Sequence, residues 1–378
     1  MLHRRRLIQA TAALGVAHLG LPAWAQAGNK IVLGQSAAFS GPASALGEQF
    51  RKGAQLLFDR VNARGGVGGR TIELQSLDDG YEPDRCSANT RKLIDSGVFA
   101  LFGYIGTPTS LAALPLATQA QVPFIAPFTG AEALRTPFNR YAFHVRASYF
   151  NETAEIVKQL TAVGMKNIAV FYQNDSYGKA GLEGVTRALG PLELKPAGLG
   201  TVERNTVAVD AAVQSILASK PDAIVQISAY KSCAAFIRAA RKGGFGGTFY
   251  NVSFVGTAAL ATELGPDARG VVVSQVMPFP FTPATAVAGE YLAAGHAAAG
   301  DKFDPNYSSM EGFVAAKTMV EGLRRAGARP TVDSLIAGLE SMHEHNLGGF
   351  IVDFGPQKHT ASRYVDLTIL SADGRVRH

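Results

Sequence analysis

The chain has 378 residues, of which 47% are hydrophobic, and a formal net charge of +6. Arg4, Arg5 and Arg6 supply three of these charges, and the other lysines and arginines are scattered, which argues against nucleic-acid binding. The length exceeds what one hydrophobic core normally serves, so two domains are expected. Beyond the N-terminus, no apolar stretch of the sequence is long enough to cross a membrane.

Residues 1–25 have the three parts of an export signal. Three arginines precede an apolar run over residues 10–21, and Ala23 and Ala25 are small residues at the cleavage positions. The run is too short to serve as a permanent membrane anchor, and an amphipathic first helix is the alternative. We expect cleavage after Ala25, or else after Ala27. Residues 4–8 also fit a twin-arginine signal, so the export route stays open.

Strand and helix signals then alternate almost without interruption. KIVLGQSAAF has the pattern of a buried strand, residues 46–63 have an apolar helical face, and TIELQSL is a strand that closes on Asp78-Asp79. A helix around Leu93 follows, and then the β-type runs FALFGYIG, PFIAP and YAFHVRAS. Such alternation predicts right-handed βαβ units and a parallel sheet flanked by helices.

A second series of strands and helices starts after Tyr149. Its strands are NIAVFYQ, AGLGTV, AIVQIS, TFYNVSF and GVVVSQVMP. Later helical segments, at about 284–299, 309–327 and 332–342, have no strands of their own to cover, and a β-type tail follows them. Packing these helices on the first sheet requires the chain to cross between the domains more than once. The alternative is a single connection and a third, helical domain.

Small polar residues follow two strands of the first series. They are Thr107, Thr109 and Ser110 after FALFGYIG, and Thr129 and Gly130 after PFIAP. At the carboxyl edge of a parallel sheet, such residues leave hydroxyls and backbone N–H groups free to hold a polar ligand. Ser40 ends the first strand in the same way, with a tight turn as the alternative. Since no acid, base or nucleophile lies among them, the pattern predicts a binding site.

Aromatic residues lie at further strand ends. Tyr149 is at the junction of the two series, and Tyr230 and Phe254 follow AIVQIS and TFYNVS. Ligands of open α/β sheets bind at these ends, so the three residues are candidate contacts. The alternative is ordinary packing in the core or the hinge.

Other motifs do not indicate catalysis, a metal or a cofactor. The run of glycines at 65–69 follows a helix and precedes a strand, which is the wrong order for a dinucleotide loop. His343 and His345 are two apart and would point to different sides of a helix. Asp78-Asp79 is a carboxylate pair or a turn, and Cys86 and Cys233 are expected to be small buried residues without a disulfide.

The order of the motifs SGPASALGEQFRKGAQLLFDRVNARGGVGGR, LDDGYEPDRC, GTPTS, IAPFTGAEALR and YQNDSYGKAGLEGV resembles the branched-chain amino acid-binding proteins. These are substrate-binding components of ABC transporters with the type 1 periplasmic binding fold. The resemblance implies two Rossmann-like α/β lobes, joined by a three-crossover hinge, that close over a ligand in the cleft. We expect lobe 1 at 26–146 and 279–346, lobe 2 at 147–278 and 347–378, and the first hinge strand at 146–150.

The resemblance also implies roles and partners. The ligand carboxylate would lie against Thr107, Thr109 or Ser110 and against Phe128, Thr129 and Gly130, with Tyr230 on the second lobe. The protein would be a monomer in the periplasm, without a cofactor, and would deliver its ligand to a permease and ATPase complex of the inner membrane. A ligand sensor of the same fold is the alternative, and an exported hydrolase is a weaker one.

One departure from the family bears on the ligand. The amino acid binders place an acidic residue near the end of a second-lobe strand, and residues 251–255 here, NVSFV, contain none. A buried ammonium group without a countercharge is costly. Either another acid such as Glu311 replaces it, or the ligand has no α-amino group. We expect a small organic acid or amide, with an aromatic body given Tyr149, Tyr230 and Phe254, and an amino acid stays the alternative.

Overall fold

The computed structural model describes residues 29–378. The predicted export signal and its two cleavage positions, after Ala25 and Ala27, lie outside these residues. Within the described part of the chain, no helix combines the length and the apolar character needed to cross a membrane.

Five parallel strands form the first sheet, in the order β2-β1-β3-β4-β5. The strands are β1 (Lys30–Ala37), β2 (Thr71–Asp78), β3 (Ala100–Phe102), β4 (Phe124–Ile125) and β5 (Ala142–Phe143), and the helices between them are α1 (Ser44–Asn62), α2 (Pro83–Asp95) and α3 (Thr107–Gln119). The last five residues of β1 are all buried. This is the pattern of a strand covered on both faces, as parallel sheets require.

The second sheet has seven strands in the order β14-β13-β10-β9-β8-β6-β7. Its elements are β6 (Ile168–Gln173), β7 (Leu199–Val202), β8 (Ala223–Ile227), β9 (Thr248–Asn251), β10 (Val272–Gln275), β13 (Asp366–Leu370) and β14 (Val376–Arg377), with the helices α4 (Tyr149–Ala162), α5 (Ser176–Leu189), α6 (Asp210–Ala218), α7 (Tyr230–Lys242) and α8 (Thr257–Leu264). Strands β13 and β14 are antiparallel to their neighbours. The strands β11 (His345–Asn346) and β12 (Ile351–Val352) pair separately.

The late helices are α9 (Ala286–Ala299), α10 (Tyr307–Ala326) and α11 (Val332–Glu340). Helix α10 packs along α1 of the first sheet, and glycines allow the two backbones to touch. A Cβ atom at Gly312 would overlap the carbonyl oxygen of Phe50 and lie 3.0 Å from the amide nitrogen of Ala54. The helices α9–α11 therefore belong with the first sheet, which makes the first lobe; the second sheet and α4–α8 make the second lobe.

Three crossovers join the two α/β lobes, as the fold prediction had it: one between β5 and α4, one between β10 and α9, and one between β12 and β13. The predicted hinge strand at 146–150 is wrong. Helix α4 already begins at Tyr149, because the Ser148 hydroxyl caps it by accepting a hydrogen bond from the Asn151 amide at 3.3 Å.

The C-terminal tail contacts the first sheet before it reaches the second. The amide of His144 donates to the carbonyl of His359, and the amide of Ala361 donates to the carbonyl of His144, both at 2.8 Å. The predicted assignment of 347–378 to lobe 2 stays a prediction. Within that stretch, His359 and Ala361 hydrogen-bond to lobe 1.

Candidate functional site

Five buried rings meet where the carboxyl ends of the two sheets face each other, and we call them the aromatic cluster. They are Tyr81, Phe128, Tyr149, Tyr177 and Phe254. The Phe254 ring centroid lies 5.9 Å from that of Tyr81 and 5.6 Å from that of Phe128, both of the first lobe, and 4.6 Å from that of Tyr177 in its own lobe. The cluster therefore joins the lobes, and the cleft between them is closed by their own side chains.

Two buried threonines lie beside the cluster on the first lobe. The Oγ1 atoms of Thr107 and Thr129 are 2.6 Å apart, and the Thr129 hydroxyl also lies 3.4 Å from the Tyr149 phenol oxygen. The carbonyl of Gly130 accepts from the Tyr149 amide at 2.8 Å, and a Cβ atom at Gly130 would lie 2.7 Å from that nitrogen. The structure thus brings together Thr107, Phe128, Thr129, Gly130, Tyr149 and Phe254 of the predicted site.

Four predicted residues are not part of this group. The Thr109 hydroxyl donates back to the carbonyls of Ile105 and Gly106, the two residues just before its helix, a bond that short hydroxyl side chains often make. The Ser110 hydroxyl is buried and has no hydrogen-bond partner in the described chain. Ser40 is exposed and bonds to Asp78 at 2.6 Å, and Tyr230 begins α7 without a ring contact to the cluster among the described residues.

Sequence reasoning missed Tyr81 and Tyr177. Tyr81 has a left-handed backbone (φ 65°), which Asp79 supports by accepting the Tyr81 amide at 2.8 Å. Its phenol accepts a hydrogen bond from Gln173 of the second lobe at 3.3 Å. Both tyrosines follow a strand end by a few residues, the same signal that identified Phe254, so this signal could have found them.

A buried ion cluster of Arg146, Glu152 and Glu311 lies next to the rings. Arg146 is in the first crossover, Glu152 on α4 and Glu311 on α10. The guanidinium is 3.2 Å from the Glu152 carboxylate and 3.5 Å from that of Glu311, and its carbon lies 4.9 Å from the Phe128 ring centroid. The three side chains are 1%, 0% and 7% exposed, so the whole cluster is shielded from water.

The second lobe completes the ion cluster. The amide of Ser253 and the hydroxyl of Ser274 donate to Glu152 at 2.7 and 2.6 Å, and Arg146 donates to the Ser253 hydroxyl. The carboxylate of Glu152 therefore lies against the segment 251–255 that has no acid of its own. This carboxylate is already bound by a cation and two donors, which leaves it little capacity to bind a ligand ammonium.

Burial and charge set the protonation of the ion cluster. Burial acts to lower the pKa of the Arg146 guanidinium, but Glu311 and Glu152 outweigh it and raise that pKa above its usual value. Burial raises the pKa of Glu311 to about 7, against the attraction of Arg146. Glu311 therefore gains or loses its charge near neutral pH, and the charge of the cluster changes by one unit there.

A clasp at the rim of the cleft also joins the lobes, formed by Arg204 and Asn205 of the second lobe with Glu82 and Gly80 of the first. Arg204 lies 3.0 Å from the Glu82 carboxylate, and Asn205 donates to Glu82 at 2.7 Å and to the carbonyl of Gly80 at 3.0 Å. Arg204 also forms an ion pair with Asp175 of the second lobe, at 3.2 Å. All four residues of the clasp lie in loops or at a helix start, and none of them belongs to the aromatic cluster.

The other candidate motifs have structural roles. The Asp78 carboxylate accepts hydrogen bonds from the amides of Phe39, Ser40 and Gly80. Burial acts to raise the pKa of Asp78, but these and side-chain hydrogen bonds outweigh it and lower the pKa to about 2. Asp78 thus ends β2, and the Asp78 and Asp79 carboxylates accept the amides of Gly80 and Tyr81 in the turn that follows. Both Cys86 and Cys233 are buried, as predicted, and burial raises the pKa of each thiol. His343 lies beyond α11 and pairs with Asp353 at 2.6 Å.

The chain is similar to a known protein family, to individual relatives and to solved structures. The family model described as periplasmic binding protein matches residues 30–375. An amino acid binding protein of Pseudomonas aeruginosa is 25% identical over 306 residues, which cover 79% of each chain. Leu/Ile/Val-binding protein homolog 8 of Brucella suis is 27% identical over 251 residues, which cover 62% of this chain and 60% of that one.

Two solved structures are similar over nearly the whole chain. A possible leucine/isoleucine/valine-binding protein from Rhodopirellula baltica SH 1 is 34% identical with a TM-score of 0.89, and the match covers 93% of this chain and 97% of that one. A substrate-binding periplasmic protein from Ralstonia solanacearum is 31% identical with a TM-score of 0.86, over 92% and 99% of the two chains.

Proposed function

This chain belongs to the periplasmic binding protein family, and we propose that it is exported to the periplasm, closes over a small polar ligand and delivers it to an ABC importer. The predicted resemblance to Leu/Ile/Val-binding proteins is confirmed by the relatives and the structural neighbours. The family and the fold are those of substrate-binding proteins rather than of enzymes. Delivery by a monomer to a permease and ATPase complex of the inner membrane is part of the proposal.

The proposed ligand is a small organic acid or amide with an apolar, aromatic body. The observation that supports it most is the pair of hydroxyls, Thr107 and Thr129, beside the aromatic cluster. The hydroxyls suit a carboxylate or amide oxygen, and the rings suit an apolar body. Glu152, whose carboxylate lies against residues 251–255, is already paired with Arg146.

An amino acid is the second candidate. The relative from Pseudomonas aeruginosa is named an amino acid binding protein. In this chain Glu311 is the acid with which an ammonium group would pair, since its 3.5 Å contact with Arg146 does not amount to a hydrogen bond.

A thermal-shift screen of amino acids, aromatic and aliphatic carboxylates and amides tests this proposal. A compound at 100 times its dissociation constant stabilises the folded state by about 2.7 kcal/mol. We expect the largest shift from an aromatic carboxylate or amide. A largest shift from leucine would refute the ligand class and leave the receptor function intact, whereas turnover of a bound compound would refute the receptor function itself.

Thr129→Val is expected to weaken binding of the best compound of that screen by about tenfold, because it removes one hydrogen-bonding hydroxyl at nearly constant volume. The dissociation constant is measured by calorimetry. Thr109→Val is the matched control, since its hydroxyl bonds to the backbone just before its helix and its loss should leave the affinity unchanged. Equal affinities of the two variants would remove Thr129 from the site.

Arg204→Ala is expected to speed ligand dissociation about threefold, since the clasp is a partly exposed ion pair that holds the closed arrangement without lying among the rings. Stopped-flow displacement measures the rate. Arg238→Ala is the control, because Arg238 pairs with Asp267 inside the second lobe. If both variants release ligand at the same rate, the clasp does not contribute to closure.

A further inference from the structure

A cavity lies beside the hinge, and we call it the hinge cavity. Its volume is about 620 Å³, and its lining includes Arg135, Arg187, Arg363, Ser148, Asn151 and Glu183. Cavities that bind small molecules have volumes of about 300–1,000 Å³. Its walls come from the first lobe, the second lobe, and the first and third crossovers. A bound molecule would therefore touch both lobes and two of the three crossovers that join them.

The hinge cavity is separate from the cleft. Both sites use the first turn of α4, but Tyr149 belongs to the aromatic cluster, whereas Phe150 and Asn151 line the hinge cavity. On α5, Tyr177 belongs to the cluster, and Glu183 and Arg187 line the hinge cavity. None of the five rings of the cluster lines it.

Three guanidinium groups give the hinge cavity its chemistry. The Nη2 group of Arg135 donates hydrogen bonds to the carbonyls of Arg146 and Ala147 at 3.1 and 3.2 Å. Its Nε is buried and has no hydrogen-bond partner among the described residues. Arg187 lies over the Phe150 ring at 5.2 Å. Within residues 29–378, neither Arg187 nor Arg363 forms an ion pair.

The local charge favours an anion. Three arginines and two glutamates, Glu132 and Glu183, line the hinge cavity, so its formal charge is positive. Burial lowers the pKa of Arg135 to about 10. The negative charge of Glu132 acts to raise this pKa, and the positive charge of Arg146 acts to lower it. An anion placed among the arginines would relieve this repulsion.

We propose that the hinge cavity binds a small oxyanion, a phosphate or a carboxylate group, between Arg187 of the second lobe and Arg363 of the third crossover, with Arg135 beneath them. Guanidinium groups match the geometry of both oxyanions and can bind them in a bidentate way. Because the anion would bridge the two lobes, its binding is linked to cleft closure.

Calorimetric titration of the protein with sodium phosphate, and separately with citrate, tests the proposal without any compound in the cleft. Sodium chloride keeps the ionic strength constant. We expect saturable binding of at least one anion, and about tenfold weaker binding by the double variant Arg187→Gln/Arg363→Gln. A response to phosphate alone that the double variant weakens identifies a phosphate site, and a response to citrate alone that it weakens identifies a carboxylate site. Binding that the double variant retains in full lies elsewhere, for example in the cleft, and counts against the proposal.

A matched control separates the hinge cavity from general charge. Arg91→Gln/Arg269→Gln removes two exposed arginines, one from each lobe, outside the cavity, and should bind the anion as the parent protein does. Unchanged melting temperatures without anion would show that all variants fold. The absence of saturable binding by either anion would overturn the proposal, as would an equal loss in both double variants. Neither outcome bears on the ligand of the cleft.

Discussion

Replacing Arg146 with methionine is expected to lower the free energy of unfolding by about 3–5 kcal/mol at pH 8. Methionine fills a similar length but leaves Glu152 and Glu311 buried without the cation that both contact. Urea unfolding measures the loss. The effect should be large because all three side chains are shielded from water, where an unpaired charge is most costly.

The same variant should lose less stability at pH 5. Burial already raises the pKa of Glu311 to about 7, and without the attraction of Arg146 that pKa rises further. Glu311 is therefore protonated at pH 5, and the cost of burying its charge falls as the pH falls. Arg140→Met is the control, because Arg140 pairs with Asp333 at the surface, where the loss of an ion pair costs little stability. Equal losses in the two variants would show that the ion cluster does not stabilise the fold.

Gly312→Ala is expected to destabilise the protein by about 3 kcal/mol. The added methyl would overlap the Phe50 carbonyl of α1, and backbone atoms cannot move aside as a flexible side chain can. Alanine is the better helix former by about 1 kcal/mol, so a stabilised variant would contradict the close packing of α10 on α1. Guanidinium unfolding measures the change.

Gly190→Ala provides the comparison. Gly190 ends α5 with φ at −53°, an ordinary helical value, and a Cβ atom there would meet nothing within 4 Å. This substitution should be neutral or stabilise by up to roughly 1 kcal/mol. The difference between the two glycine variants isolates the steric overlap from the general effect of replacing glycine.

The fold could be predicted because its signals are local. Alternating strand and helix patterns predict two parallel sheets, and residues after successive strands must meet at one edge of a sheet. This reasoning placed Thr107 beside Thr129. It failed for Thr109, two residues away, because which hydroxyl turns back onto its own helix depends on the local rotamer.

The ion cluster could not be predicted in the same way. Arg146 and Glu311 are far apart in sequence and meet only because α10 returns to the first lobe. The sequence suggested Glu311 as a substitute acid, but nothing local to it indicated that an arginine would be its partner. The error at the hinge was avoidable, since Ser148 and Asn151 form a capping box that marks the start of α4.

The ion cluster and the clasp differ in their distance from the axis about which the lobes would rotate. When one lobe rotates on the crossovers, each atom is displaced in proportion to its distance from the rotation axis. Arg146 is itself part of a crossover, so its contacts lie near the rotation axis and their distances change little. Arg204 and Glu82 lie at the rim, farther from the crossovers. In the proposed opening of the cleft, this partly exposed ion pair is therefore the one expected to break first, with the buried charges of Arg146 still paired.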